Sequence, residues 1–193
     1  MIPVLREAAE LNDGFCFIAD WVDGIVLRSP EIDRNHPDSA HSRFRNLPVN
    51  ERIQALNKVF KLFTVIEENG FIIEDFYDGC TLYNFENRHI WICDLDHTHK
   101  GSYILERDRQ YGSKRFMAPE EFIRGGIIDN KTNVYNLGAA AFEFLGNGNR
   151  NLDYWQDSKN LYDIAIKAVK EKKSERYSSV LEFYHYWIRA VKD

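Results

Sequence analysis

Residues 71–96, FIIEDFYDGCTLYNFENRHIWICDLD, contain two short apolar and aromatic segments, 81–85 and 89–93. The polar residues 86–88 separate them, with a turn at Glu86-Asn87, a pattern typical of two antiparallel strands joined by a tight turn. The sequence therefore predicts a β-hairpin in the middle of the chain.

Carboxylates flank both predicted strands. Asp75 and Asp78 precede the first, and Asp94 and Asp96 follow the second, so a hairpin brings these acidic groups to neighbouring ends of one small sheet. Grouped carboxylates repel one another unless a cation lies between them, and hard oxygen ligands favour Mg²⁺ or Mn²⁺. The alternative is that they are solvated loop carboxylates, because aspartate is a common turn residue.

Helical periodicity surrounds the hairpin. Apolar residues recur at steps of three and four over 51–68, with Asn50 as the predicted N-cap and Asn69-Gly70 as the stop. Three further helices are predicted over 134–144, 161–172 and 178–191, whereas residues 31–41 have the composition of a loop.

The first residues predict a strand pair. Residues 14–20, GFCFIAD, have the composition of a buried strand ending before the turn Asp23-Gly24, and residues 2–9 supply a partner strand.

Composition excludes several classes of protein. The 193 residues carry a formal charge of −5, which argues against nucleic-acid binding, and no apolar run reaches the ~18 residues of a membrane helix. The three cysteines have no metal-knuckle spacing and indicate reduced thiols. With no secretory leader pattern, we expect a cytoplasmic protein that binds neither membrane nor nucleic acid.

The order of five motifs resembles the carboxy-terminal lobe of eukaryotic-type Ser/Thr protein kinases, a family also found in bacteria. The most specific is GSKRFMAPE at 112–120, which is similar to the family's G-[ST]-x-x-[YF]-M-A-P-E. The others are EDF at 74–76, DLD at 94–96, DNKTNVYNLG at 129–138 and SERYS at 174–178, which resemble the family's catalytic loop, D-F-G, the start of the central helix and D-P-x-x-R-[PY]-[ST].

The resemblance implies specific roles. Asp75 is the catalytic base or orients the acceptor hydroxyl, and Asp94 is a Mg²⁺ ligand with help from Asp96 or Asp78. Residues Asp20, Trp21 and Val22 correspond to the hinge that holds the adenine of ATP. The resemblance implies structural roles for three further residues. Glu120 and Arg176 form an ion pair, and Asn133 makes hydrogen bonds to the catalytic loop.

The sequence departs from the family in ways that bear on activity. It contains no G-x-G-x-x-G motif, and no V-A-I-K-like strand with its lysine precedes the hinge. Cys80 stands where the family has a metal-binding asparagine, and Glu74 replaces the arginine before the catalytic aspartate. DLDHTH at 94–99 is also compatible with a transition-metal site, although a solvated loop is the simpler interpretation.

These observations predict a mainly α (α+β) fold, a kinase-like helical lobe over 25–193 with residual amino-terminal-lobe strands and the hinge over 1–24. We expect a degenerate, pseudokinase-like binding module with weak ATP and Mg²⁺ binding and little or no phosphotransfer by itself. The first alternative is an active Ser/Thr kinase whose amino-terminal lobe is missing or supplied in trans. A metal-dependent hydrolase is a distant alternative.

An apolar surface is expected at the hinge side. Phe15, Phe17 and Trp21 would pack under the lobe that the sequence does not contain, so we expect them to be partly exposed. This exposure predicts self-association or a protein partner at that end.

Overall fold

The computed structural model describes residues 2–95 and 97–192, which form a mixed architecture of α-helices and small β-sheets. The helices are α1 (Ala40–Arg45), α2 (Val49–Glu68), α3 (Asn130–Leu145), α4 (Lys159–Ala168) and α5 (Val180–Lys192). The strands are β1 (Leu5–Leu11), β2 (Gly14–Ala19), β3 (Ile25–Val26), β4 (Phe71–Ile73), β5 (Thr81–Asn84), β6 (His89–Ile92), β7 (Thr98–Lys100), β8 (Tyr103–Ile104) and β9 (Ile127–Ile128).

Helix α3 forms the centre of the core. Every residue from Thr132 to Leu145 is buried, and α2, α4 and α5 pack around it. Gly138 permits the close approach of α4, because a Cβ atom at that position would lie 2.7 Å from the Ala168 Cβ. Asp129 caps the helix by accepting hydrogen bonds from the backbone N–H groups of Lys131 and Thr132.

The long helices largely follow the sequence prediction. Helix α2 ends at the predicted stop, with Asn69 as C-cap and Gly70 at φ +78°. The predicted N-cap Asn50 is wrong, because the helix already begins at Val49 after Pro48. The predicted helix 161–172 is shorter in the structure, since α4 ends at Ala168.

The predicted central hairpin is confirmed. Strands β5 and β6 pair antiparallel with Thr81 opposite Ile92 and Asn84 opposite His89. The Asn84 side chain closes the turn by accepting hydrogen bonds from the backbone N–H groups of Glu86 and Asn87.

Several elements were not predicted from the sequence. Strand β4 pairs with β7, so the chain returns after the hairpin to lie beside residues 71–73. Helix α1 begins within the predicted loop 31–41, where Ser39 caps it by accepting a hydrogen bond from the Ser42 N–H.

Strands β1 and β2 form the predicted pair, but the expectation that β2 is buried is wrong. Every side chain of the two strands is exposed except Ala9 and Cys16, which are half-buried. Phe15 is 68% exposed and Phe17 67%, as the hinge-side argument expected. In the described part of the chain, no helix combines the length and apolarity needed to cross a bilayer.

The aromatic contact between α2 and α5 gives a stability prediction. Phe60 is fully buried against Phe183 and Trp187, so Phe60→Ala should lower the free energy of unfolding by about 3–5 kcal/mol. Phe17→Ala, the same change on an exposed strand, should lower the free energy of unfolding by less than about 0.5 kcal/mol. Urea unfolding of both variants measures the difference, and equal losses would contradict this description of the core.

Candidate functional site

Asp75 lies two residues after β4, in a loop that α3 holds in place. The Asn133 amide donates to the Ile73 carbonyl at 2.7 Å, and its oxygen accepts from the Ile73 N–H at 3.0 Å. Asn133 is buried, so this pair of bonds fixes the end of β4 to the central helix.

Gly112 packs directly against the Asp75 carboxylate. Its φ is +103°, a conformation suited to glycine, and an added Cβ would overlap Asp75 Oδ1. The structure therefore brings the start of the 112–120 motif to Asp75, although the two are far apart in sequence.

Cys80 lies close to both Asp75 and Asp94. Its thiol donates to the Asp75 carbonyl at 3.0 Å, and its own carbonyl accepts from the Cys93 N–H at 2.9 Å. Burial, followed by the negative charges of Asp75 and Asp94, raises the pKa of Cys80 to about 12. The sulfur is therefore a neutral thiol, neither a nucleophile nor a hard ligand.

Asp94 follows β6 and is exposed, with its backbone in the left-handed region at φ +59°. Non-glycine residues adopt this conformation infrequently, and aspartate is among those that tolerate it. Asp96, the other aspartate of the DLD motif, lies outside the described residues.

Asp78 belongs to a different set of contacts. It is fully buried, both of its carboxylate oxygens accept from Arg115 at 2.8 Å, and its Oδ2 lies 3.5 Å from His41 Nε2. The structure thus pairs this predicted metal ligand with an internal cation.

A second buried carboxylate, Glu143 of α3, extends this network. Its Oε1 accepts from His41 Nε2 at 2.9 Å, lies 2.8 Å from Arg115 Nη1 and is paired with Arg34. Burial alone would raise the pKa of Glu143, but these partners outweigh it and lower the pKa. We call the five residues Arg34, His41, Asp78, Arg115 and Glu143 the buried charge cluster.

The buried charge cluster contains three groups of metal-ligating type. Potential ligand atoms of His41, Asp78 and Glu143 lie within 4.8 Å of one another. Two guanidinium groups already neutralise the two carboxylates, so a metal ion would have to displace them. We therefore interpret the cluster as a structural ion network that joins α1, the Asp75–Cys80 loop, the 112–120 segment and α3.

Sequence reasoning missed most of this cluster. Its residues are separated by up to about a hundred positions, and no spacing rule connects them. One signal was present, since Glu143 is a single charge within the apolar run of α3, and such a residue requires a buried partner.

Glu120 and Arg176 are in contact through two hydrogen bonds of 2.7 and 2.9 Å. The Arg176 side chain is fully buried and also donates to the backbone carbonyls of Lys131, Lys170 and Glu171. Burial would raise the pKa of Glu120, but the bonds and charge of Arg176 lower it. The pair joins the 112–120 motif to the segment before α5.

The predicted hinge residues lie between β2 and β3. Asp20 accepts two hydrogen bonds of 2.6 Å from Arg6, and its N–H donates to the Val4 carbonyl. Trp21 is 90% exposed, and Val22 is half-buried.

The histidines of the 94–99 segment have other contacts. The His97 ring makes a tilted contact with the Tyr111 ring, with 5.6 Å between the ring centroids, while His99 Nδ1 lies 3.0 Å from the Gly101 carbonyl. Within the described residues, neither joins a group of three potential metal ligands.

Comparison of the chain with protein-family models and with curated proteins finds no match. The functional conclusion therefore depends on the order of the motifs and the geometry of the site.

Glu121 gives a prediction for pH dependence. This buried carboxylate accepts hydrogen bonds from the Ala118 N–H and the Asn136 amide, and burial raises its pKa from 4.5 to about 8. Between these values the folded protein retains a proton that the unfolded chain releases, so stability falls as pH rises. Glu121→Gln keeps an acceptor oxygen and should flatten this decline, as measured by urea unfolding from pH 5 to 8. An unchanged slope would mean that Glu121 is ionised in the folded protein.

Proposed function

We propose that this chain is a protein-kinase-like binding module that holds Mg²⁺ and ATP weakly and acts through a protein partner. The observation that carries the proposal is the contact between Asp75 and Gly112. It joins the loop matching the family's catalytic segment to the motif that most closely resembles the family.

Each residue of the site has a chemical role in this proposal. Asp75 accepts a hydrogen bond from the hydroxyl group that would receive a phosphoryl group, and so orients that hydroxyl. Asp94 provides the exposed carboxylate for Mg²⁺, with Asp96 beside it in sequence, and the hinge at 20–22 lies against adenine. The bound metal ion would neutralise charge on the nucleotide phosphates.

The donor set explains why binding is expected to be weak. Cys80 supplies a neutral, soft sulfur where Mg²⁺ requires oxygen, and Asp78 is paired with Arg115. Asp94 is then the one predicted metal-binding carboxylate within residues 2–95 and 97–192 that is exposed and lies outside the buried charge cluster. The chain also has no glycine-rich phosphate loop.

An active Ser/Thr kinase is the second candidate. The presence of both Asp75 and Asp94 favours it, because phosphotransfer requires both carboxylates, whereas binding of Mg²⁺ and ATP alone does not require Asp75. In this case a second chain would supply the missing phosphate loop and lysine. The hydrolase alternative loses support, since Asp78 is committed to an ion pair.

A thermal unfolding experiment with millimolar ATP and Mg²⁺ tests nucleotide binding. A ligand at 100 times its Kd stabilises a protein by about 2.7 kcal/mol. We expect a smaller, Mg²⁺-dependent increase in Tm that Asp94→Asn abolishes, because asparagine tolerates the same backbone conformation without the charge. Asp153→Asn, at an exposed carboxylate elsewhere, is the control.

Cys80→Asn sharpens the same experiment. Its amide nitrogen can donate to the Asp75 carbonyl as the thiol does, and its oxygen is a hard ligand, so the Mg²⁺-dependent shift should increase. Cys80→Ala is the matched control. The proposal is wrong if ATP produces no shift in the parent chain and none in Cys80→Asn.

Self-association tests the partner surface. Exposed Phe15 and Phe17 should drive dimers or larger species in light scattering, and Phe15→Ser with Phe17→Ser should reduce them. Ile104→Ser with Ile127→Ser, on the exposed β8–β9 pair, controls for general loss of apolar surface. A monodisperse parent monomer that binds no hydrophobic dye would contradict self-association.

A further inference from the structure

A basic cavity of about 270 Å³ lies beside the 112–120 segment. Its lining includes four basic side chains, Arg34, Lys114, Arg115 and Arg150, together with the buried Glu143. We refer to this space as the basic cavity.

The charges around the basic cavity do not cancel. Arg34 pairs with Glu143, and Arg115 contacts both Glu143 and Asp78. In the part of the chain that the structure describes, Lys114 and Arg150 have no carboxylate partner. Four cations against two carboxylates leave two positive charges, although the whole chain carries −5.

The cavity is also held in a defined shape. The buried carboxylates fix two guanidinium groups before any ligand arrives, which reduces the entropic cost of binding. Gly148, at φ +74°, lets the loop after α3 approach Glu143, since an added Cβ would lie 3.0 Å from Glu143 Oε2. Asn147 in this loop is held by Arg45 at 3.1 Å.

We propose that the basic cavity binds the phosphate group of a phosphorylated peptide. Arginine and lysine around a confined space with two excess positive charges suit a phosphate dianion, which arginine contacts through paired N–H groups. This inference rests on the proposed function and names a substrate or partner class for the same site.

The position of the cavity favours a peptide near Asp75. Lys114 follows Gly112 by two residues, and Gly112 contacts Asp75, so about 7 Å of extended backbone at most separates Lys114 from that contact. A phosphoresidue in the cavity would place a hydroxyl a few positions away near Asp75.

Fluorescence anisotropy tests the proposal without ATP or metal. The probe is a labelled alanine-rich peptide with one phosphoserine three residues from a serine, and its unphosphorylated form is the reference. Lys114→Gln with Arg150→Gln removes the two cations that lack carboxylate partners. Lys58→Gln with Lys170→Gln removes two exposed charges outside the cavity lining.

We expect the parent chain to bind the phosphopeptide and not its unphosphorylated form. The affinity for the phosphopeptide should be at least about tenfold weaker in the cavity variant and unchanged in the control variant. Competition by inorganic phosphate would support recognition of the phosphate group. Equal weakening in both variants would overturn the proposal, as would absence of phosphopeptide binding. Inorganic phosphate that binds the chain when the phosphopeptide does not bind would also overturn the proposal, because the cavity would then hold a free ion only.

This result is independent of the nucleotide experiment. A chain that binds phosphopeptide but gives no ATP-dependent shift keeps the cavity proposal and loses the nucleotide-binding function. A chain that shows a Tm shift with ATP but binds no phosphopeptide keeps the nucleotide-binding function and loses the cavity proposal.

Discussion

Two carboxylates buried in the core, Asp78 and Glu143, constrain much of the structure. Burying such charges is tolerable only when each has a close cation and hydrogen-bond donors. Arg115 contacts both carboxylates, while His41 and Arg34 approach from the segment before α2. The 112–120 segment must therefore lie against the Asp75–Cys80 loop, and α1 must pack near the end of α3. Removing Arg115 would leave the fully buried Asp78 carboxylate without its closest cation.

The parts of the fold governed by local pattern could be predicted from the sequence. Periodicity located α2 and α5, and the Glu86-Asn87 turn located the central hairpin. Pairing of β4 with β7 could not be predicted, because its three residue pairs have no distinctive spacing. The composition of β2 predicted a buried strand, but β2 is exposed. Burial depends on what packs against a strand and not on the strand alone.

The residues of the candidate site also fall into two groups, those that a local motif indicated and those whose contacts depend on the fold. Motif order indicated Asp75, Asp94 and the Glu120–Arg176 contact, whereas the pairing of Asp78 with Arg115 depends on residues 37 positions apart. Motif order also indicated the position of Cys80, but the chemistry of its thiol depends on burial. Its thiol donates to the Asp75 carbonyl as an amide would, yet burial keeps it neutral and its sulfur suits magnesium poorly.

The exposed β1–β2 hairpin has a consequence for recognition. An isolated two-stranded hairpin is only marginally stable in water, and this one is held by its own ladder and the Arg6–Asp20 pair. Its amide protons should therefore exchange with solvent far faster than those of α3. A partner that covers Phe15 and Phe17 would also have to order these strands, so part of the contact free energy would be spent on folding. Such coupling favours associations that are specific and readily reversed.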